Sequence, residues 1–270
     1  MSDNPDSTLK AYQPRFRQID TGGSDPKVDC VWFHHAGGGS NTLAHRVRQS
    51  VDRIAAADLP DIRLLTPVTP LREDAIDERF DGELHTLADQ YAAILQQDFG
   101  IGRLPFVVLG HSFGSVLAYE VTRRLIDAGH SPARLVVMSF PAPDRLTHQT
   151  ELHTLDNRSL MQQVDELFGG VPPEILDNDE TWSHFVPGLR SDLGLLERYR
   201  PDLDAAALPV PVTAMVGTDD RAVSLADVQR WDLFTEPPVR LQTLPGDHFF
   251  PLQRIAEVFT AAAWDLPEPR

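Results

Sequence analysis

The 270-residue sequence is short of cysteine, of positive charge and of long apolar runs, and each shortage excludes something. Cys30 is its one cysteine, so no internal disulfide framework can form and a reducing compartment is expected. A helix that spans a bilayer needs about 18 consecutive apolar residues, and no run approaches that. The opening stretch, MSDNPDSTLKAYQPRF, lacks the apolar segment of a signal peptide. A soluble cytoplasmic protein with no membrane partner is therefore expected. Lys and Arg total 24 against 40 Asp and Glu, a formal charge of −16, which argues against nucleic acid as a partner. No exposed helical seam stands out, so a monomer is expected.

What is present is a core and an alternation. Hydrophobic residues make up 41% of the chain, enough for a large core without staples. Short runs rich in β-branched and aromatic residues predict strands at 16–19, 28–34, 62–66, 106–109, 135–139, 212–216 and 239–244. Helices are predicted from Ser40 or Asn41 as a cap to about Ala57, and over 80–99, 115–128 and 252–263. Strand and helix alternate, which implies an α/β fold with a mostly parallel central sheet flanked by helices. Residues 1–26 are polar and rich in Pro, Gly, Ser and Asp, and read as a flexible N-terminal arm. Residues 145–208 contain helical patterns and no clear strand, and read as a helical insertion. The core then comprises 27–144 and 209–270.

The stretch VVLGHSFGSVLAYE, from Val107 to Glu120, carries the chemistry. Ser112 stands between Gly110 and Gly114 where a strand becomes a helix. A serine hydroxyl is a poor nucleophile unless a base lies within hydrogen-bond reach and the backbone presents it rigidly. A sharp strand-to-helix turn supplies the presentation, and glycines two positions before and after remove side chains that would collide in it. A chance Gly-x-Ser-x-Gly is common, but here the strand–turn–helix context accompanies it.

In this arrangement an acid and then a histidine follow the serine in the chain. His248, in LPGDHFFPL, lies just after the last predicted strand and is the candidate base. Asp219 and Asp220 follow the strand at 212–216, and Asp220 is preferred as the acid, with Asp219 as the alternative. The carboxylate's task is to hold the ring tautomer and stabilise the imidazolium. An oxyanion hole needs backbone N–H groups where negative charge develops. Phe113, directly after the serine, offers one, and Ala36, in the loop HHAGGGS after the first strong strand, offers the other. That loop has neither the glycine order nor the lysine of a phosphate-binding loop. His34 and His35 are adjacent strand-end residues that point to opposite faces, so packing is favoured over metal ligation and no metal is expected.

The segments WFHHAGGGS, FVVLGHSFGSVLAYEVTRRL, SDLGLLERYRP, VTAMVGTDDRAVS and LPGDHFFPL together resemble the type II thioesterases. These are stand-alone editing enzymes of polyketide and nonribosomal peptide assembly lines with the α/β-hydrolase fold. The resemblance runs from about Val28 to Trp264. It implies Ser112 as nucleophile, Asp220 as acid, His248 as base, and Phe113 and Ala36 at the oxyanion positions. It also implies a helical lid at the insertion. The implied substrate is an acyl group on the phosphopantetheine arm of a carrier protein, which makes the carrier domain the partner and leaves the enzyme with no cofactor of its own. The chain departs from the family pattern at His34, where proline is usual, and at Phe113, where methionine is commoner. A small-molecule esterase or lipase, or an acyltransferase of the same fold, is the competing reading.

Overall fold

The computed structural model describes residues 9–146, 151–171 and 179–263. In chain order the elements before the insertion are β1 (Lys10–Ala11), β2 (Arg15–Ile19), β3 (Val28–Phe33), α1 (Ser40–Ala55), β4 (Ile62–Val68), β5 (Glu78–Arg79), α2 (Leu84–Gln97), β6 (Phe106–His111), α3 (Phe113–Asp127) and β7 (Arg134–Met138). Then come α4 (Asn157–Phe168), α5 (Asp179–Arg198), β8 (Val212–Gly217), α6 (Leu225–Gln229), β9 (Arg240–Leu244), α7 (Phe250–Gln253) and α8 (Ile255–Ala263). Short 3₁₀ turns join several of them.

Seven strands form one sheet in the order β2-β4-β3-β6-β7-β8-β9. Every neighbouring pair is parallel except β2 with β4. Parallel strands covered on both faces must be apolar on both sides, and VDCVWF, FVVLGH and VTAMVG are buried along their whole length. The period of two divides each strand between two cores. Val31, Phe33, Val108 and Val137 face the layer of α2 and α3, with Tyr91 and Leu95. Cys30, Trp32, Leu109 and Val136 face the layer of α1 and α8, where Trp32 meets Phe259 edge to face at 5.8 Å. Each fully buried side chain of this size contributes about 1.5–3 kcal/mol of apolar transfer free energy.

Within the expected arm, the strand expected at 16–19 is present as β2. Residues 1–8 lie outside the described residues. β2 pairs antiparallel with β4 from Arg15↔Val68 to Ile19↔Leu64, making it the edge strand of the sheet. Tyr12 is buried, and its hydroxyl donates to the Val68 carbonyl. The polar composition misleads because an edge strand needs only one apolar face and one row of backbone partners.

Other boundaries differ locally. The cap of α1 is Gly39 rather than Ser40 or Asn41. A distant carboxylate replaces the side-chain cap: Glu73 accepts from Ser40 Oγ at 2.6 Å and from the Asn41 N–H at 2.8 Å. A Cβ at position 39 would lie 2.2 Å from Glu73 Oε1, so glycine admits the carboxylate. The helix predicted from residue 80 starts at Leu84, because β5 pairs with β1 through Lys10↔Glu78. The last helix is two, α7 and α8, broken at Arg254.

Between β7 and β8, α4 and α5 build a small core of their own from Leu160, Met161, Val164, Trp182, Val186 and Leu189. Asp156 caps α4 by accepting from the Ser159 N–H at 3.0 Å. Ala36 and Phe185 are partly buried against this cluster, so the insertion packs onto the loop after β3. Among the described residues no helix is long and apolar enough to cross a membrane.

Candidate active site

Strand order decides where the site lies. From β3 the chain goes to β4 on one side, then crosses to β6 on the other. The loops leaving the carboxyl ends of β3 and β6 therefore diverge and open a crevice, the place where such sheets bind ligands. The loop after β3 carries Ala36, and the turn after β6 carries Ser112.

Ser112 is held at φ 52°, ψ −124°, a conformation rare for a residue with a side chain. Its N–H donates to Met138 O at 2.8 Å and its carbonyl accepts from Ser115 N at 2.8 Å, so both sides of the bend are tied. The glycines are steric requirements. A Cβ on Gly110 would lie 2.3 Å from Gly114 O, and one on Gly114 would lie 2.2 Å from Phe33 O. Both obstacles are backbone atoms that cannot move aside.

His248 and Asp220 converge on this turn. His248 Nε2 is 2.9 Å from Ser112 Oγ across 136 residues of sequence. His248 Nδ1 is 3.1 Å from Asp220 Oδ2 and 3.3 Å from Oδ1. The supporting loops are bound together: Thr218 N–H donates to Leu244 O and Asp219 N–H to Gly246 O, each at 2.9 Å. Of the two adjacent acids, Asp219 points away and accepts from Thr218 Oγ1 at 3.0 Å. Asp220 Oδ1 also accepts from the N–H groups of Ala222 and Val223 at 2.9 and 3.2 Å. Burial alone would raise the Asp220 pKa, but the hydrogen bond and charge of His248, with the Ala222 N–H, hold it below the usual carboxylate value. Ser139 Oγ, buried without a hydrogen-bond partner of good geometry, lies close enough to add to this lowering.

Ala36 and Phe113 line one cavity of about 230 Å³ together with Ser112 and His248. Phe113 is the first residue of α3, so its N–H has no intrahelical acceptor. Phe168 from α4 and Leu189, Leu193 and Leu196 from α5 roof the cavity. The Phe168 ring stands 4.9 Å from the His248 ring. A larger groove of about 700 Å³ lies on the other flank of α5 and contains none of the three converging residues. Among the described residues no group of three or more His, Cys, Asp or Glu side chains is arranged to hold a metal ion.

Three further histidines crowd the site. His111 Nε2–H donates to the backbone carbonyl of His248 at 2.8 Å, tying the loop of His248 to β6. Its ring lies 5.5 Å from that of His248 and 5.0 Å from that of His35. Burial pushes His111 down to about 3, with the neighbouring His248 adding to the effect. Burial, then Arg72, pushes His34 down to about 3, and burial also lowers His35 well below its ordinary value. These rings stay neutral at physiological pH, so an imidazolium forming at His248 meets no fixed positive charge among them.

The same shifts set an acid response. In the unfolded chain each histidine returns to about 6.5. Between about pH 3 and 6.5 the unfolded chain therefore binds more protons than the folded one, so stability rises with pH across that window and is lost on acidification. The unfolding free energy in urea is expected to fall from pH 6 to pH 5 by about 1.2 kcal/mol per buried histidine. His34→Asn should make that slope shallower, since Asn can keep the donor that His34 Nδ1 offers to His35 O at 3.1 Å. Equal slopes in the two proteins would exclude His34 from the response.

Ser112, His248, Phe113 and Ala36 line the cavity and Asp220 bonds to His248, whereas the alternative acid, Asp219, does not reach the ring. His111, and the buried pair Arg72 and Asp192, whose side chains meet at 2.8 Å beneath α5, emerge only from the structure. His111 carried a signal, its place beside the serine at a strand end. Asp192 lies in the segment SDLGLLERYRP, but nothing local pairs it with Arg72, 120 residues away in a loop.

The family model described as Thioesterase domain matches residues 29–263. The chain is 31% identical over 243 residues to a probable cadicidin biosynthesis thioesterase of Streptomyces griseus, covering 90% of this chain and 63% of that protein. It is 31% identical over 231 residues to the thioesterase PikA5 of Streptomyces venezuelae, covering 83% of this chain and 75% of that one. Among solved structures, the type II thioesterase BorB of the borrelidin biosynthetic cluster superposes with a TM-score of 0.76 at 27% identity, over 91% of this chain and 95% of its own.

Proposed function

Because the chain belongs to the thioesterase family, we propose that it hydrolyses the thioester joining an acyl group to the phosphopantetheine arm of a carrier protein in polyketide or nonribosomal peptide biosynthesis. Ser112 is the nucleophile, His248 the general base and Asp220 its partner. The observation that carries this reading is the hydrogen-bonded chain from Ser112 Oγ to His248 Nε2 at 2.9 Å and from His248 Nδ1 to Asp220 Oδ2 at 3.1 Å, inside an apolar cavity.

The bond lengths fit the proton movements the reaction needs. Asp220 accepts from Nδ1–H, which leaves Nε2 free to take the serine proton. Ser112 Oγ attacks the thioester carbonyl, and the oxyanion that forms accepts from the N–H groups of Ala36 and Phe113. Collapse breaks the C–S bond and the thiol departs with the proton from His248. A thiol is a better leaving group than an amine, so acid assistance matters less here. Water, deprotonated by His248, then attacks the acyl-serine, and His248 returns that proton to Ser112 Oγ as the acyl–oxygen bond breaks and the acid is released. The apolar roof of Phe168, Leu189 and Leu193 suits an apolar acyl chain, and in this reading α4 and α5 are its lid.

The test is to present carrier proteins bearing different acyl groups and follow unloading by mass spectrometry, with an acyl-N-acetylcysteamine thioester and a p-nitrophenyl ester compared in parallel. Unloading to free acid, with the thioesters preferred, is the expected result. A marked preference for the oxygen ester would favour a small-molecule esterase, and transfer of the acyl group to an acceptor other than water would favour an acyltransferase.

A further inference from the structure

The loop that carries Ala36 is held from above. His35 O accepts from the Gly38 N–H at 2.9 Å, closing a four-residue turn with Ala36 and Gly37 at its centre. Gly37 sits at φ +75°, as the third residue of a type II turn requires. Such a turn can interconvert with its type I form by flipping the central peptide, here the one between Ala36 and Gly37. Gly37 N–H, which belongs to that peptide, donates to Asp192 Oδ2 at 2.9 Å across 155 residues of sequence.

Asp192 is anchored in turn. Arg72 Nη2 donates to the same Oδ2 at 2.8 Å. The rest of the Arg72 guanidinium is spent on backbone carbonyls: Nη1 to Gly38 O at 2.6 Å, Nη2 to Gly188 O at 2.9 Å and Nε to Pro70 O at 3.2 Å. One arginine thus joins the loop after β3 to helix α5, and the carboxylate it orients grips the turn between them. Both side chains are almost fully buried, at 8% and 3% exposure. Contact between helix and turn is direct, since a Cβ on Gly37 would lie 2.9 Å from Phe185 Cζ and 3.3 Å from Leu189 Cβ.

We infer that Asp192 is a positioning residue for the oxyanion hole: by accepting the Gly37 N–H it holds the turn closed by Gly38 N–H and His35 O in one form, and so holds the preceding His35–Ala36 peptide, whose N–H is the proposed donor, while Arg72 fixes Asp192. This rests on the proposed roles of Ser112 and Ala36. It makes helix α5 part of the catalytic scaffold as well as a wall of the acyl cavity. Burial raises the Asp192 pKa above its ordinary value, with Arg72 and the Gly37 N–H opposing it. The charged form is thus less favoured than in water, as for many buried pairs, and the pair is better explained by what it positions than by stability it adds.

Both contacts use a single carboxylate oxygen, so the amide oxygen of Asn can replace it, whereas Leu offers no acceptor at similar size. The experiment measures the rate at which a fluorophosphonate labels Ser112, together with kcat and KM for hexanoyl-N-acetylcysteamine, in wild type, Asp192→Asn and Asp192→Leu. The tetrahedral phosphonyl oxygen occupies the hole, so labelling reads its geometry. We expect Asp192→Asn to stay within about fivefold of wild type. Folded Asp192→Leu should label and turn over about 10- to 100-fold more slowly, with KM within about twofold. Amide exchange of the wild type, followed by NMR, gives a second reading that needs no variant: the Gly37 N–H should be protected. The inference is overturned if folded Asp192→Leu labels within threefold of wild type, even with a lowered melting temperature, or if the Gly37 N–H exchanges as fast as an exposed loop amide. Should Asp192→Leu not fold, the exchange measurement decides. A wild type that labels but leaves the thioester intact would count against the proposed substrate, while the comparison of labelling rates still decides the role of Asp192.

Discussion

Ser112→Ala is expected to keep the fold and to lose thioester hydrolysis by about 10⁶ in kcat, leaving only what binding and the oxyanion hole supply. The substitution removes one oxygen and no carbon, so the turn at φ 52° and its ties to Met138 and Ser115 are untouched. The fluorophosphonate adduct should vanish with the activity. Circular dichroism and the melting temperature establish that the variant is folded, and turnover is read on acyl-carrier thioesters by mass spectrometry. Turnover above a thousandth of wild type in a contaminant-free sample would remove Ser112 from the mechanism, and with it the acyl-enzyme route.

Asp220→Asn should lower kcat by about 10⁴, by the logic of the serine–histidine–aspartate triad. The backbone contacts from Ala222 and Val223, at 2.9 and 3.2 Å, can be kept by the amide oxygen. The amide nitrogen then faces His248 Nδ1 as a donor and forces the other tautomer, in which Nε2 carries the proton. Nε2 would donate to Ser112 Oγ where it must accept. The loss should therefore appear in kcat, with substrate binding little changed. Asp219→Asn is the control: that side chain is exposed and bonds to Thr218. It should remain within about threefold of wild type, the range of ordinary surface changes. If Asp219→Asn were the damaging variant and Asp220→Asn the mild one, the acid would be misassigned.

Much of this was legible in the residues because it is local. Gly110, Ser112 and Gly114 announce the turn, since the space a Cβ would need there is filled by backbone. The strands VDCVWF, FVVLGH and VTAMVG announce burial on both faces. The serine, acid and histidine stand in an order that this kind of sheet brings together, and the fold brings Asp220 rather than Asp219 to the ring. The strand at 16–19 was legible, but its place as the sheet edge was not, because that depends on β4, a strand more than forty residues away. Glu73 as the cap of α1 was invisible for the same reason.

By itself, then, the sequence determined the alternation of strand and helix, the bend that presents the serine, and which side chains can carry the chemistry. These follow from backbone sterics and from periodicity over a few residues. The tertiary structure decided which acid reaches the imidazole, that His111 ties the loop of His248 to the strand bearing the serine, and that Asp192 and Arg72 clamp the loop of Ala36. Each of those is a hydrogen bond between groups far apart in the chain. Its 3 Å reach is met only after the packing of helices on the sheet has brought the partners together.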